Sequence, residues 1–312
     1  MCGITGYVGK KNAVPILLEG LLKLEYRGYD SAGIALLNNG ILRVCKKKGR
    51  VGVLAAEVEK MNFYAITGIS HTRWATHGGV TDANAHPHVS SDGNFALVHN
   101  GIIENFESIK NFLKTKGYTF SSQTDTEALV NLIAYHYEYR TDESAENRFL
   151  EAVRKALMHV EGTYGIAVLC RFCEGEIIAA RKGSPLLIGI GKNERLVSSD
   201  VLGFAGRAAN VIYLEDNQIA SVTADNCDIV SISNKPINYA VSEIDWNLES
   251  ADLGECKHYM QKEIAEQPAV LENAIRGRIS DDNSTAVLNG LNMSPEQMRQ
   301  IDRILFCACG TA

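Results

Sequence analysis

The sequence predicts an α+β fold in which stacked sheets carry their helices on the outside. Two observations lead there. Short apolar runs bounded by turn residues crowd both sides of a group of amphipathic segments, so strands and helices do not alternate as parallel βαβ units would require. The composition, 46% hydrophobic and 22% charged, is that of a globular chain with a sizeable core.

The elements follow in order. Ile4 to Val8, bounded by Gly3 and Gly9, predicts a strand, and Val14 to Leu24 has helical apolar spacing with Pro15 tolerated in the first turn. Tyr26-Arg-Gly-Tyr-Asp-Ser interrupts the pattern as a loop. Strands are expected at Gly33–Leu37, Ile41–Val44, Ala65–His71 and Phe95–His99, separated by turn signals such as Asn38-Asn-Gly and Ser91-Asp-Gly. Helices follow near Phe106–Lys116, Thr126–Tyr139 and Ala145–His159; Thr124-Asp-Thr-Glu127 has the spacing of a capping box. Further strands fall at Tyr164–Phe172, Glu176–Arg181, Leu186–Gly189, Arg195–Ser198, Val211–Leu214, Gln218–Thr223 and Asp228–Ser231. After about residue 240 the character changes to a long polar helix over His258–Ile279, a loop at Asp281-Asp-Asn-Ser and a strand at Arg303–Cys309. The expected organisation is one domain over 2–240 and the opening of a second over 241–312.

Composition also excludes classes of function. A net charge of −6 argues against a general polyanion-binding surface, so no nucleic-acid partner is expected. No apolar stretch approaches the ~18 residues of a membrane span, and the N-terminus lacks the pattern of a secretory signal. A cytoplasmic, reducing location with free thiols is expected. Cys170-Arg-Phe-Cys173 is a lone CxxC without the second pair of a zinc ribbon, and Asn84-Ala-His86-Pro-His88 lacks the acidic or thiol partners of a metal site. No metal and no cofactor are expected.

Five segments carry candidate chemistry. Cys2 becomes the first residue if Met1 is trimmed, which joins a thiol to a free α-amine on one residue. The amine titrates near ~8 and can serve as a base for a strongly nucleophilic sulfur; the bland alternative is a cysteine heading an ordinary strand. Gly3 would let substrate approach. His71-Thr-Arg73-Trp-Ala-Thr-His77-Gly offers an arginine able to clamp a carboxylate, against a surface arginine stacked on Trp74. Its histidines, taken alone, are hydrogen-bonded structural groups. His99-Asn100-Gly101, just after a strand, presents an amide and a backbone N–H suited to an oxyanion, against a simple Asn-Gly turn. Asp125 at a helix start either complements the helix dipole or pairs with a ligand ammonium.

Taken together, these blocks resemble the class II glutamine amidotransferases, and within them the isomerising glutamine–fructose-6-phosphate aminotransferases. The resemblance rests on Cys2-Gly-Ile, Leu24-Glu-Tyr-Arg-Gly-Tyr-Asp-Ser-Ala-Gly33, His71 to Gly78, Asn84 to His88, Val98 to Asn105 and Thr124 to Glu127. Beyond these, His258 to Pro268 and Cys309-Gly-Thr311 resemble the opening of a sugar-isomerase half. The resemblance implies a four-layer αββα sandwich of the N-terminal nucleophile hydrolase type. It implies Cys2 as nucleophile with its own amine as base, and Asn100 and Gly101 as oxyanion hole. Arg73 would hold the α-carboxylate of glutamine, Asp125 its ammonium, and Thr76, His77 and Gly78 would line the pocket. Trp74 would gate ammonia, Arg27 would lie beside the nucleophile and His86 would be structural. Glutamine is the implied partner. Fructose 6-phosphate and a homodimer are implied only for the complete enzyme, so this chain alone is expected to release ammonia without making the amino sugar. The alternatives are a module that only binds glutamine, and an amidotransferase acting on phosphoribosyl pyrophosphate.

Overall fold

The computed structural model of the 312-residue chain describes residues 2–74, 78–139, 147–244, 256–276, 278 and 293–305. The contact pattern divides the chain into two units, Met1–Trp246 and Asn247–Ala312.

In the first unit, strands β1 (Gly3–Gly9), β2 (Ser31–Asn38), β3 (Ile41–Lys48) and β4 (Thr67–Arg73) precede β5 (His88–Val89) and β6 (Phe95–Ile103). After the central helices come β7 (Gly162–Cys170), β8 (Glu176–Lys182), β9 (Leu187–Gly191) and β10 (Glu194–Ser198). The last are β11 (Asn210–Tyr213), β12 (Gln218–Thr223), β13 (Cys227–Ser231) and β14 (Ser242–Glu243). They form an eight-stranded sheet, β14-β11-β9-β10-β1-β4-β2-β3, and a six-stranded sheet, β13-β12-β8-β7-β6-β5. Every ladder between these strands is antiparallel. Pairing of Ser242–Glu243 with Asn210–Val211 ties residues just past 240 to the first unit.

Strand periodicity explains the layering, because alternate side chains face opposite sides. In β1, Ile4 and Val8 point into a core shared with Ala96, Val98, Ala167 and Leu169 of the other sheet. Tyr7 points the other way, onto α1 (Ala13–Leu24) and α2 (Val51–Met61). Phe95 and Leu97 of β6 likewise face α3 (Phe106–Thr115), α4 (Asp125–Tyr139) and α5 (Arg148–Leu157). The order is helices, sheet, sheet, helices: the expected αββα sandwich. Both sheets are covered on both faces, which is why β1 and β4 are buried along their whole length.

Helix α1 starts where Asn12 accepts from the Val14 N–H, and it buries Ile16, Leu17, Leu21 and Leu24 along one stripe. Helix α2 was not expected. Its Val-Gly-Val opening has poor helix propensity. It forms because Val51, Leu54 and Val58 bury one face, and because Glu25 Oε1 accepts from Val51 N at 2.7 Å. The capping box expected at Thr124 also differs. Glu127 reaches further back, where its carboxylate accepts from the backbone N–H and the hydroxyl of both Ser121 and Ser122. Residues 140–146 lie outside the described residues, and with them the first two positions of the expected Ala145–His159 helix.

In the second unit, the expected polar helix is α6 (Tyr259–Ile275), with Pro268 inside it. Met260, Ile264, Val270 and Leu271 on it are exposed. A five-residue α7 (Pro295–Arg299) follows, opened by a capping box between Ser294 and Gln297. Arg303–Leu305 are not in a strand, and the rest of the expected Arg303–Cys309 strand lies outside the described residues. No helix among the described residues is long and apolar enough to cross a membrane.

One glycine shows how tightly the site's scaffold is seated. A Cβ on Gly33 in β2 would overlap the His86 carbonyl oxygen and come within 2.8 Å of Lys46 Cβ. Lys46 Nζ in turn donates to the Ala83 and Ala85 carbonyls, at 2.9 Å each. The segment carrying His86 is therefore laid directly on bare backbone. Gly33→Ala is expected to destabilise the unit by about 2 kcal/mol, read as a lower urea midpoint; an unchanged midpoint would contradict this packing.

Candidate active site

The β1–β4 ladder pairs Gly3 with Thr72, so Cys2, one residue before β1, lies beside Arg73, the last residue of β4. Trp74 closes the contact: its N–H donates to Cys2 Sγ at 3.2 Å, and the thiol faces the Trp74 carbonyl at 3.6 Å. Gly3 is packed rather than open to substrate, since a Cβ there would meet Leu24 Cβ at 2.7 Å and Thr72 Oγ1 at 2.8 Å. Burial pushes the Cys2 thiol above its ordinary pKa, opposed by the Trp74 N–H and by Arg73.

Arg73 is only 4% exposed, which replaces the surface-arginine alternative. Burial lowers its pKa, while Cys2, Asp125 and Asp30 act against that lowering. Its Nη1 donates to the Gly79 carbonyl at 3.4 Å. Gly78, at φ +76°, lies against Asn84, whose side chain bonds to Gly79 O and to the backbone of Gln123. Trp74 is 45% exposed and meets Tyr29 edge to face, with centroids 5.5 Å apart.

Asn100 and Gly101 are not in a turn after the strand. They lie inside β6, paired with Gly165 and Tyr164 of β7. Gly101 holds φ +133°, and a Cβ would overlap the Thr163 carbonyl oxygen, so the strand can pass only with glycine there. Asn100 Nδ2 donates to the Cys2 carbonyl at 3.2 Å, across the gap between the sheets. Asp125, at the start of α4, accepts from Ile103 N at 2.8 Å and from Thr126 N at 3.0 Å. It thus anchors the end of β6 and still borders a small cleft of about 30 Å³ shared with Cys2, Arg73, Trp74 and Gly101.

Four buried histidines, His71, His86, His88 and His99, cluster beside this cleft, and His86 and His99 line it. His71 and His86 stack with centroids 4.2 Å apart, and His88 meets His86 edge-on at 4.9 Å. His86 Nδ1 accepts from the His99 N–H at 3.2 Å. The His99 ring bonds Thr126 Oγ1 at 3.1 Å and the Thr163 carbonyl at 3.3 Å, and His88 Nε2 bonds Thr124 Oγ1 at 3.0 Å. Burial lowers the pKa of all four, that of His71 to about 3. His86 therefore sits in a hydrogen-bonded wall. Thr126 and Thr163, which join that wall to the cleft, carry no signal in the sequence beyond their neighbourhood.

Thr76 and His77 lie outside the described residues. Arg27 is in a short 3-10 turn, Glu25–Arg27. A larger cavity of about 710 Å³ opens elsewhere, among α3, α4 and α5, and contains none of these residues. Cys170 ends β7, far along the strand from Tyr164, the partner of Gly101, and Cys173 lies in the turn after it.

Comparison with known proteins is consistent with this geometry. Residues 71–204 match the glutamine amidotransferase domain family. Over 312 residues, all of this chain, it is 46% identical to a glutamine–fructose-6-phosphate aminotransferase (isomerising) of Caldanaerobacter subterraneus subsp. tengcongensis, and 45% identical to that of Thermus thermophilus. The chain spans about half the length of these relatives, 50% in each case. Among solved structures, glutamine phosphoribosylpyrophosphate amidotransferase from B. subtilis superposes with a TM-score of 0.62 at 24% identity. That match covers 75% of this chain and 50% of the other, and it shows a shared fold.

The histidine wall has a measurable signature. A buried imidazole held neutral has its pKa depressed below the unfolded value of ~6.5. The unfolded chain then binds more protons, so the stability these groups contribute is whole above pH ~6.5 and falls as pH drops toward the folded value, about 3 for His71. For His71 the slope approaches ~1.4 kcal/mol per pH unit between those values, and the other three act in the same direction. Urea unfolding between pH 6 and 5 should show a steep loss of stability, and a flat profile would contradict neutral burial.

Proposed function

The chain carries a glutamine amidotransferase domain and is homologous along its whole length to half of the isomerising glutamine–fructose-6-phosphate aminotransferases; from that premise we propose that Cys2 splits glutamine into glutamate and ammonia. The observation that carries this is the convergence of Cys2, Arg73, Gly101 and Asp125 on one cleft, with the Asn100 amide on the Cys2 carbonyl.

In the proposed mechanism Met1 is removed and the freed α-amine of Cys2 takes the thiol proton as sulfur attacks the γ-carboxamide. The oxyanion formed is held by Asn100 Nδ2–H and the Gly101 N–H. The same proton passes to the leaving nitrogen, ammonia departs, and a γ-glutamyl thioester remains. Water, deprotonated by the amine, attacks that thioester, releases glutamate and returns the proton to sulfur. Arg73 pairs with the α-carboxylate in bidentate fashion and Asp125 with the α-ammonium, so the amino-acid end is fixed while the amide reacts. Thr76, His77 and Gly78 complete the pocket, Trp74 gates ammonia release, and Arg27 lies in the loop next to the nucleophile.

The reading extends to the complete protein. Transfer of the ammonia to fructose 6-phosphate is the activity for which the relatives are named, and a cytoplasmic homodimer is the state proposed for it. The 46% identity over all of this chain, half of the relative's length, favours this acceptor.

Three measurements test the proposal. Intact mass of active protein should lack Met1, and activity with Met1 retained would refute the amine as base. Cys2→Ala should abolish ammonia release from glutamine while preserving the thermal transition; undiminished release would mean another nucleophile. Arg73→Ala should raise KM for glutamine by the equivalent of about 2 kcal/mol or more, and an unchanged KM would refute the clamp.

A further inference from the structure

His71 has no place in the mechanism above, yet it touches the group that mechanism depends on. It lies on β4 two residues beyond Ile69, so both face the opposite sheet. Its Nε2 lies 2.9 Å from Asn100 Oδ1 and 3.1 Å from the His99 carbonyl oxygen. The ring is wholly buried.

These contacts decide a question that the shape of an amide leaves open, namely which end of Asn100 is oxygen. A backbone carbonyl accepts and never donates. The His99 carbonyl therefore requires the proton of His71 to be on Nε2. A protonated Nε2 has no lone pair to accept an amide N–H, so the Asn100 oxygen must turn toward His71 and share its one hydrogen with the His99 carbonyl. The amide NH2 is then left facing the Cys2 carbonyl at 3.2 Å. The reversed amide would set its oxygen against that carbonyl and its N–H against the imidazole N–H. His71 Nδ1 is buried with no hydrogen-bond partner among the described residues, and the ring is stacked on His86. A second proton there would be an unpaired buried charge, so the ring stays a neutral Nε2–H donor.

We propose that His71 is a positioning residue: its single N–H, aligned by the His99 carbonyl, locks the Asn100 amide with the NH2 toward the nucleophile. The proposal rests on Asn100 as an oxyanion donor. It also gives the stacked His71–His86 pair a purpose, since the stack holds the donor ring in plane with its two acceptors.

The test is glutaminase kinetics on Asn100→Ala, His71→Phe, His71→Gln and the His71→Phe/Asn100→Ala double variant, each first checked for a wild-type melting profile. His71→Phe should lower kcat by about 100-fold, the scale of losing one oxyanion donor, with KM for glutamine little changed. His71→Gln keeps an N–H donor and should recover much of that loss. In the double variant, His71→Phe should cost nothing beyond Asn100→Ala, because both remove one device. Full kcat in His71→Phe, or losses that multiply in the double variant, would overturn the proposal. Undiminished turnover in Asn100→Ala would instead overturn the oxyanion reading beneath it. One measurement needs no variant: imidazole ¹⁵N spectra of the unaltered protein at pH 7 should show His71 as a neutral Nε2–H tautomer, and an Nδ1–H tautomer would overturn the proposal even if the variants fail to fold.

Discussion

The site depends on one register. The antiparallel pairing of Gly3 with Thr72 sets Cys2 against Arg73 and, in the same stroke, turns His71 toward the opposite sheet. Side chains alternate along a strand, so a slip of one residue would send His71 and Arg73 to the helix side and bring Thr72 inward. What holds the register is not the site itself but the apolar core behind it. Ile4 and Ile69 are both wholly buried between the sheets with Val98 and Ala167. Sliding β1 would expose or overpack all of these at once. The positions of the reactive groups are thus maintained by contacts that take no part in the chemistry.

The second sheet supplies what the first cannot. Asn100 reaches Cys2 because β6 packs across from β1 and β4, and the histidines cluster beside that crossing. Neutral imidazole suits that task. It has one donor and one acceptor, is flat enough to stack, and carries no charge to compete with Arg73 or Asp125. Polar direction is provided in a dry place while net charge stays on the two residues proposed to hold the amino-acid end of the substrate.

How much of this was legible in the sequence follows from the range of the interactions. Strand positions were read well because two-residue alternation and Asn-Gly or Asp-Gly turns are local signals. Helix α2 was missed because its Val-Gly-Val opening reads as a poor helix start, and the Glu25 carboxylate that accepts from Val51 N comes from elsewhere in the chain. Asn100-Gly101 looked like a turn because that dipeptide usually is one; only the Thr163 carbonyl across the ladder explains a glycine inside a strand. Glu127 had the right spacing for a capping box, yet two serines upstream offered it four donors. Arg73 gave no local hint of being buried, since the residue after it is an exposed tryptophan. The identities of the candidate residues were readable as a set; the His71–Asn100 contact, 29 residues apart in sequence, was not.

The place of β1 in its sheet also bears on synthesis. It is an interior strand, with β4 on one edge and β10, which begins at Glu194, on the other. Strand β1 must wait for β10 to be made before both its edges are paired. At translation speeds of ~5–20 residues per second, that wait is on the order of 10–40 s. The strand next to the candidate nucleophile is thus closed only by a segment 195 residues further on, where Ser199 Oγ accepts from the Ile4 N–H at 3.0 Å.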